Sequence, residues 1–306
     1  MLSKSTDLAE DRVNEAAAVL RGRIRPVVVP TAGSKPNAVG SCVLLKVAGR
    51  AFCVSAAHVF DQVIRAGGGG VFLQDGRIAR FDAAFFTTEI PASGRRLDDR
   101  FDVGITELSN GINLEESRSF LTIGDLAQEE VNAPRGLYFL FGYPVSRTGL
   151  KKNQIGRDVF RENLSRFFGF EPDAHAFEGM GITRDTHVLV HVDRRTSDSQ
   201  KRQPDGPELR GMSGGGMWRL PPVTDRIAED QRPKLVAIFI EDPDENGARL
   251  LGTRIGVAVE LLRLAFPELR PELPISRSLR IRGVRTDKAP SSTFVDDVDP
   301  SLFESD

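Results

Sequence analysis

The sequence predicts an all-β fold with minor helices, on three observations. From about Arg25 onward the apolar residues gather into runs of four to eight. Glycine- and proline-rich turns separate those runs, as in a sandwich or barrel. Helical spacing is confined to a few short stretches. Of the 306 residues, 40% are apolar and 27% charged, the balance of a globular chain rather than a disordered or fibrous one.

In chain order, residues 7–21 read as a helix, with Asp7 and Glu10 as a capping box, Leu8, Val13, Ala17 and Leu20 as its apolar stripe, and Gly22 as its stop. Strands follow at Val27–Val29, Val43–Val47 and Phe52–Ser55, the last two joined by a tight turn on Ala48-Gly49 that sets Leu44 opposite Cys53. The run Ala66-Gly67-Gly68-Gly69-Gly70 lacks the Lys and Ser/Thr of a phosphate loop and reads as a flexible hairpin tip. Further strands are expected at Val71–Leu73, Val103–Leu108, Leu137–Phe141, Val188–Val192, Leu235–Ile240 and Gly256–Val259, before a short helix from Glu260 to Phe266. Within this β pattern, Phe160, Leu164, Phe167 and Phe168 fall at i, i+4, i+7 and i+8, which predicts an inserted amphipathic helix over 157–168. Residues 289–306 carry five carboxylates and no Lys or Arg, the composition of a disordered acidic tail.

Composition narrows the function classes. With 41 Lys and Arg against 43 Asp and Glu, the net charge of −2 provides no global attraction to nucleic acid or acidic lipid, so neither is an expected partner. No apolar run approaches the roughly 18 residues of a spanning helix. The start Met1-Leu2-Ser3-Lys4 lacks the apolar core of a secretion signal, and the expected compartment is the cytoplasm. Cys42 and Cys53, diagonal across the first hairpin, are expected as reduced apolar fillers. His187 and His191 alternate along a strand, which holds their rings too far apart for one metal, and no metal site is expected.

Three segments carry the chemistry, and their order matters. Ser55-Ala56-Ala57-His58 ends a strand in a histidine, Asp102-Val103-Gly104-Ile105 opens one with an aspartate, and Gly211-Met212-Ser213-Gly214-Gly215 places a serine in a glycine-rich turn. Each alone is an ordinary strand end or loop. Together they supply what acyl transfer requires: a hydroxyl nucleophile, a base to take its proton, and a carboxylate to orient the base. The glycines allow the N–H groups of Gly211 and Ser213 to converge on a developing oxyanion. Gly-x-Ser-x-Gly also suits an α/β-hydrolase elbow, but those enzymes place histidine after the serine, and His191 is the last histidine here.

In these motifs the chain resembles the chymotrypsin/trypsin-like serine peptidases, including the bacterial HtrA-like branch. Leu140-Phe141-Gly142-Tyr143-Pro144 is similar to the strand opening that family's second barrel, and Arg254-Ile255-Gly256-Val257-Ala258-Val259 to its C-terminal end. The resemblance spans about residues 25–268 and implies two six-stranded antiparallel β-barrels with the site between them. It divides the chain into a helical extension (1–24), a first barrel with His58 and Asp102 (25–128), a second barrel with Ser213 and a helical insertion near 146–186 (129–268), and a C-terminal extension (269–306).

The implied activity is a serine endopeptidase acting on protein or peptide substrates without a cofactor, with His58, Asp102 and Ser213 as the triad and Gly211 and Ser213 as the oxyanion hole. Pro207 occupies the position at the base of the family's specificity pocket, with Glu208 and Glu241 able to add negative charge. Met212 stands where the family commonly has the aspartate that pairs with a freed N-terminus, so no activating cleavage is expected. The alternative is a protease-shaped binding module without turnover that recruits a regulatory protein partner through the inserted helix or the acidic tail.

Overall fold

The computed structural model describes residues 12–31, 36–108, 119–127, 137–152, 158–161, 164–192, 209–220, 232–241, 243, 249–275 and 279–286, without the side chains of 150–152, 158–161 and 174. Helix α1 (12–20) buries Val13, Ala16 and Leu20, and a 3-10 turn at Arg21–Arg23 leads into the first strand. The expected cap at Asp7 and Glu10 lies outside the described residues, as do the acidic tail, Pro207 and Glu208.

Two sheets make the body. The first is an eight-stranded, antiparallel, curled sheet containing β1 (Ile24–Pro30), β2 (Pro36–Val47), β3 (Arg50–Ala56), β4 (Gly70–Phe72), β5 (Ile78–Arg80), β6 (Phe85–Thr88) and β7 (Val103–Glu107). Its eighth strand, β16 (Gly283–Thr286), returns from the far end of the chain, and the order is β16-β6-β7-β3-β2-β1-β4-β5. The expected all-β fold of two units with minor helices holds, this unit curling into a half-barrel of eight strands rather than closing at six. β16 occupies the outer edge of β6, the edge that would otherwise be free to pair with β5. The turn at Ala48 and Gly49 sets Leu44 opposite Cys53, and both cysteines are free and buried.

The second sheet is a closed barrel ordered β11-β12-β15-β14-β13-β8. Its strands are β8 (Leu137–Gly142), β11 (Ser165–Phe170), β12 (His187–Val192), β13 (Gly216–Leu220), β14 (Lys234–Glu241) and β15 (Arg249–Arg254). Tyr138, Leu140, Phe167, Val188, Val190 and Leu250 belong to one buried cluster of this barrel. Alternation along β2 sends Val43, Leu45 and Val47 to a core shared with Trp218 and Phe141 of the barrel, and Cys42 and Leu44 to the core of the first sheet.

Three expectations are corrected. The described residues of 157–168 are not a helix: β10 (Asp158–Arg161) pairs with β9 (Gly149–Lys152), and β11 closes the barrel between β8 and β12. Ser165, Phe167 and Gly169 are buried while Phe170 is largely exposed, a period of two. Phenylalanine favours strands, and the unpaired edges of β8 and β12 decide between two periods that the sequence satisfies equally. Between 146 and 186 the described helix is instead α3 (Ala174–Gly179).

Gly256–Val259 is not a strand but lies in helix α4 (Ile255–Ala265), which buries Val257, Ala258, Leu261 and Leu262 along one face. The glycine run 66–70 is not a hairpin tip. It ends helix α2 (Ala57–Arg65), where the N–H groups of Ala66, Gly67 and Gly68 close on the carbonyls of Gln62, Ile64 and Val63, and then starts β4. No helix among the described residues is long and apolar enough to cross a membrane.

Candidate active site

His58 is the second residue of α2, immediately after β3. The first N–H groups of a helix have no acceptor within it, and Asp102 supplies two. The Ala57 N–H donates to the Asp102 carbonyl at 2.8 Å and the His58 N–H to Asp102 Oδ1 at 2.9 Å. The same carboxylate turns its other oxygen to the ring, with His58 Nδ1 and Asp102 Oδ2 2.5 Å apart. One residue therefore caps the helix and fixes the imidazole on it. With Nδ1–H directed at a carboxylate, Nε2 is left as the basic nitrogen. α2 reaches β7 because Gly104 lacks a side chain: a Cβ there would lie 2.5 Å from the Phe60 ring.

Asp102 is buried and adopts a φ of 43°, a left-handed conformation unusual for an aspartate directly before a strand. Burial pushes its carboxyl pKa up, against the hydrogen bonds and charge of His58. For His58 burial acts downward, but the hydrogen bond and charge of Asp102 outweigh it with help from Asp61, and the imidazole pKa is raised above its ordinary value.

Ser213 sits in the turn leading into β13. Gly211 and Gly214 hold φ values of 87° and 84°. A Cβ on Gly211 would lie 2.6 Å from the Val145 nitrogen, and one on Gly214 would lie 2.0 Å from the Ser41 carbonyl oxygen. Met212 is fully buried against the interior of the second barrel. The N–H groups of Met212, Gly214 and Gly215 donate to the carbonyls of Leu209, Phe239 and Met212. Among the described residues the N–H groups of Gly211 and Ser213 have no acceptor, which leaves two donors for a developing negative charge.

Ser41 on β2, which carried no signal in the sequence beyond its place in Gly40-Ser41-Cys42, moors this turn to the first sheet. Its N–H donates to the Ser213 carbonyl at 2.8 Å and its hydroxyl to the Gly211 carbonyl at 3.1 Å. The Tyr143 N–H donates to the same hydroxyl at 2.8 Å, and Ser55 Oγ donates to the Ser41 carbonyl at 2.7 Å.

His58, Asp102 and Ser213 all line one cleft of about 530 Å³, with Arg96, Leu97, Arg210, Ile240 and Glu241 among its other walls. The Ser213 hydroxyl donates to the Ile240 carbonyl at 3.2 Å and is not bonded to His58. Ile240 falls where the pairing of β14 with β15 slips by a residue, between Phe239 and Glu241. Of the expected specificity residues, Glu241 lines the cleft, whereas Pro207 and Glu208 lie outside the described residues. His187 is buried, donates from Nε2 to the Arg100 carbonyl at 2.7 Å, and stays 2.8 Å from the Thr186 hydroxyl on its other nitrogen. His191 is exposed.

No protein-family model matches the sequence, and no curated protein matches it. Among solved structures, a serine endoprotease from Yersinia pestis is similar with a TM-score of 0.48 at 12% identity, over 83% of this chain and 66% of that one. A Glu endopeptidase in complex with MPD is similar with a TM-score of 0.43 at 12% identity, over 80% of this chain and 90% of that one. The chain thus spans just under two thirds of the Yersinia protein's length.

Proposed function

We propose that the chain is a serine endopeptidase that cleaves protein substrates through His58, Asp102 and Ser213. The observation that carries this reading is the arrangement across one cleft. A histidine held by a buried carboxylate lines the same cleft as a serine whose turn, among the described residues, leaves two N–H groups without acceptors.

In the reaction Ser213 Oγ attacks the scissile carbonyl while His58 Nε2 takes the hydroxyl proton. Asp102 stabilises the imidazolium that forms, and the N–H groups of Gly211 and Ser213 bind the oxyanion. His58 then returns the proton to the leaving amine, and a water activated by the same nitrogen hydrolyses the acyl-enzyme. The Ser213 hydroxyl must first leave the Ile240 carbonyl, which a rotation about its own side-chain bond accomplishes. No cofactor takes part in these steps. The substrates proposed are proteins of the cytoplasm, cut at few sites.

One observation favours the second reading, a binding module without turnover: the Ser213 hydroxyl rests on Ile240 rather than on His58. A fluorophosphonate probe separates the two. Covalent modification of Ser213 in the folded protein supports the peptidase, and a folded protein that stays unmodified supports the binding module.

A further inference from the structure

Arg96 stands between the two elements that carry His58 and Asp102. Its Nε donates to Asp61 Oδ2 at 2.9 Å and its Nη2 to Asp61 Oδ1 at 3.4 Å, Asp61 lying on α2 one turn beyond His58. On the other side Nη1 donates to the Thr88 carbonyl at 2.8 Å and to Asp99 Oδ2 at 3.0 Å, and Nη2 to the Thr87 hydroxyl at 3.2 Å. Asp99 also accepts the Thr88 hydroxyl at 2.6 Å and the Phe101 N–H at 3.0 Å. The Val103 N–H donates to Thr88 Oγ1 at 3.2 Å. Both neighbours of Asp102 thus belong to the network that Arg96 ties to the His58 helix.

The Arg96 and Asp99 side chains keep only 12% and 3% of their exposure, so these are partly desolvated, charge-assisted bonds. A planar fork can address two carboxylates, a hydroxyl and a carbonyl at once, and an ammonium cannot. The strained φ of Asp102 persists only where its surroundings impose it.

We propose that Arg96 is a positioning residue. By bridging Asp61 on α2 to Asp99, Thr87 and Thr88 beside Asp102, it fixes the distance and orientation of His58 relative to Asp102. The proposal rests on the peptidase reading for its effect on rate, but not for its effect on the His58–Asp102 pair.

The test measures two quantities: the rate of Ser213 modification by a fluorophosphonate, and the titration midpoint of His58 by imidazole NMR in a Ser213→Ala background. Charged groups near His58 are Asp61 on its own helix, Arg96, Asp98, Asp99, Arg100 and Asp102 on the turn before β7, and Arg210 and Glu241 on the opposite wall. A nearby cation disfavours the imidazolium, so loss of the Arg96 charge alone would raise the His58 midpoint, whereas a loosened Asp102 contact lowers it. Arg96→Lys keeps the charge and loses the fork. It is expected to lower the midpoint and to slow modification about 100-fold, the cost of a misplacement of about 1 Å.

Thr88→Val removes one link without altering any charge, and is expected to move both quantities in the same direction by less. It carries the test should Arg96→Lys fail to fold. Arg96→Lys and Thr88→Val proteins that lose only thermal stability, with modification rate and His58 midpoint unchanged, would overturn the proposal, as would a raised midpoint. If the wild type is not modified at all while the midpoint still falls in Arg96→Lys, the positioning role stands and the peptidase reading falls.

Discussion

The 2.5 Å contact between His58 and Asp102 has consequences that a titration can read. The His58 pKa is raised above 6.5 by its partner despite burial. Catalysis needs the neutral imidazole, so kcat/KM for a peptide substrate is expected to rise with pH through a midpoint above that ordinary value. A midpoint at or below 6.5 would mean that the pair does not persist in solution. The stability linkage has the matching sign: the raised pKa contributes stability fully present below the unfolded value near 6.5 and lost as pH rises through the folded one. Residues acting as a unit also lose activity as a unit. Ser213→Ala and His58→Ala are each expected to remove nearly all turnover, and the double variant little more, in steady-state assays of purified protein.

At the scale of elements, the sequence discloses most where a residue pattern has one physical reading. The Ala48-Gly49 turn and the apolar run of β3 each had one, and the register of Leu44 with Cys53 followed. Phe160, Leu164, Phe167 and Phe168 had two, because four apolar residues over nine positions satisfy a helical stripe and also populate both faces of strands. Only the pairing of Phe168 with Phe139 and the burial of Phe167 decide it, and both depend on strands distant in sequence. The strand at β16 was invisible for the same reason: Arg282-Gly283-Val284-Arg285 has no apolar alternation and owes its conformation to the edge of β6. Because Phe167 is wholly buried, Phe167→Ala is expected to cost about 3–5 kcal/mol in a denaturant titration. A nearly neutral substitution would contradict the burial of Phe167 inside the barrel.

At the scale of the molecule, the site lies where the two sheets meet, and a shared buried cluster and long-range bonds hold them together. Ser41 joins β2 to the serine turn, while His187 and Thr253 of the second barrel hold the Arg100 and Phe101 carbonyls beside Asp102. The three motifs were legible in the sequence because each is local. The mooring by Ser41 was not, because Gly211 and Tyr143 lie 170 and 102 residues away, nor was the Arg96 network, because its link to Asp61 on α2 spans 35 residues. Met212, buried among apolar residues, offers no counter-charge for an ammonium, and α1 packs its Val13, Ala16 and Leu20 into the core ahead of β1. A site ordered without N-terminal cleavage is therefore expected. Acetylating or extending the N-terminus should leave the rate of Ser213 modification unchanged, and a rate that appears only after trimming near Arg23 would restore a zymogen mechanism.

The most direct measurement is active-site labelling of the intact, folded chain with a fluorophosphonate, the modified residue being located by peptide mass spectrometry. The expected result is a single adduct on Ser213 that disappears in His58→Ala, with folding verified by its thermal midpoint. No adduct on the folded protein, or one on Ser213 that forms equally fast without His58, would contradict the assignment of His58, Asp102 and Ser213 as a catalytic unit.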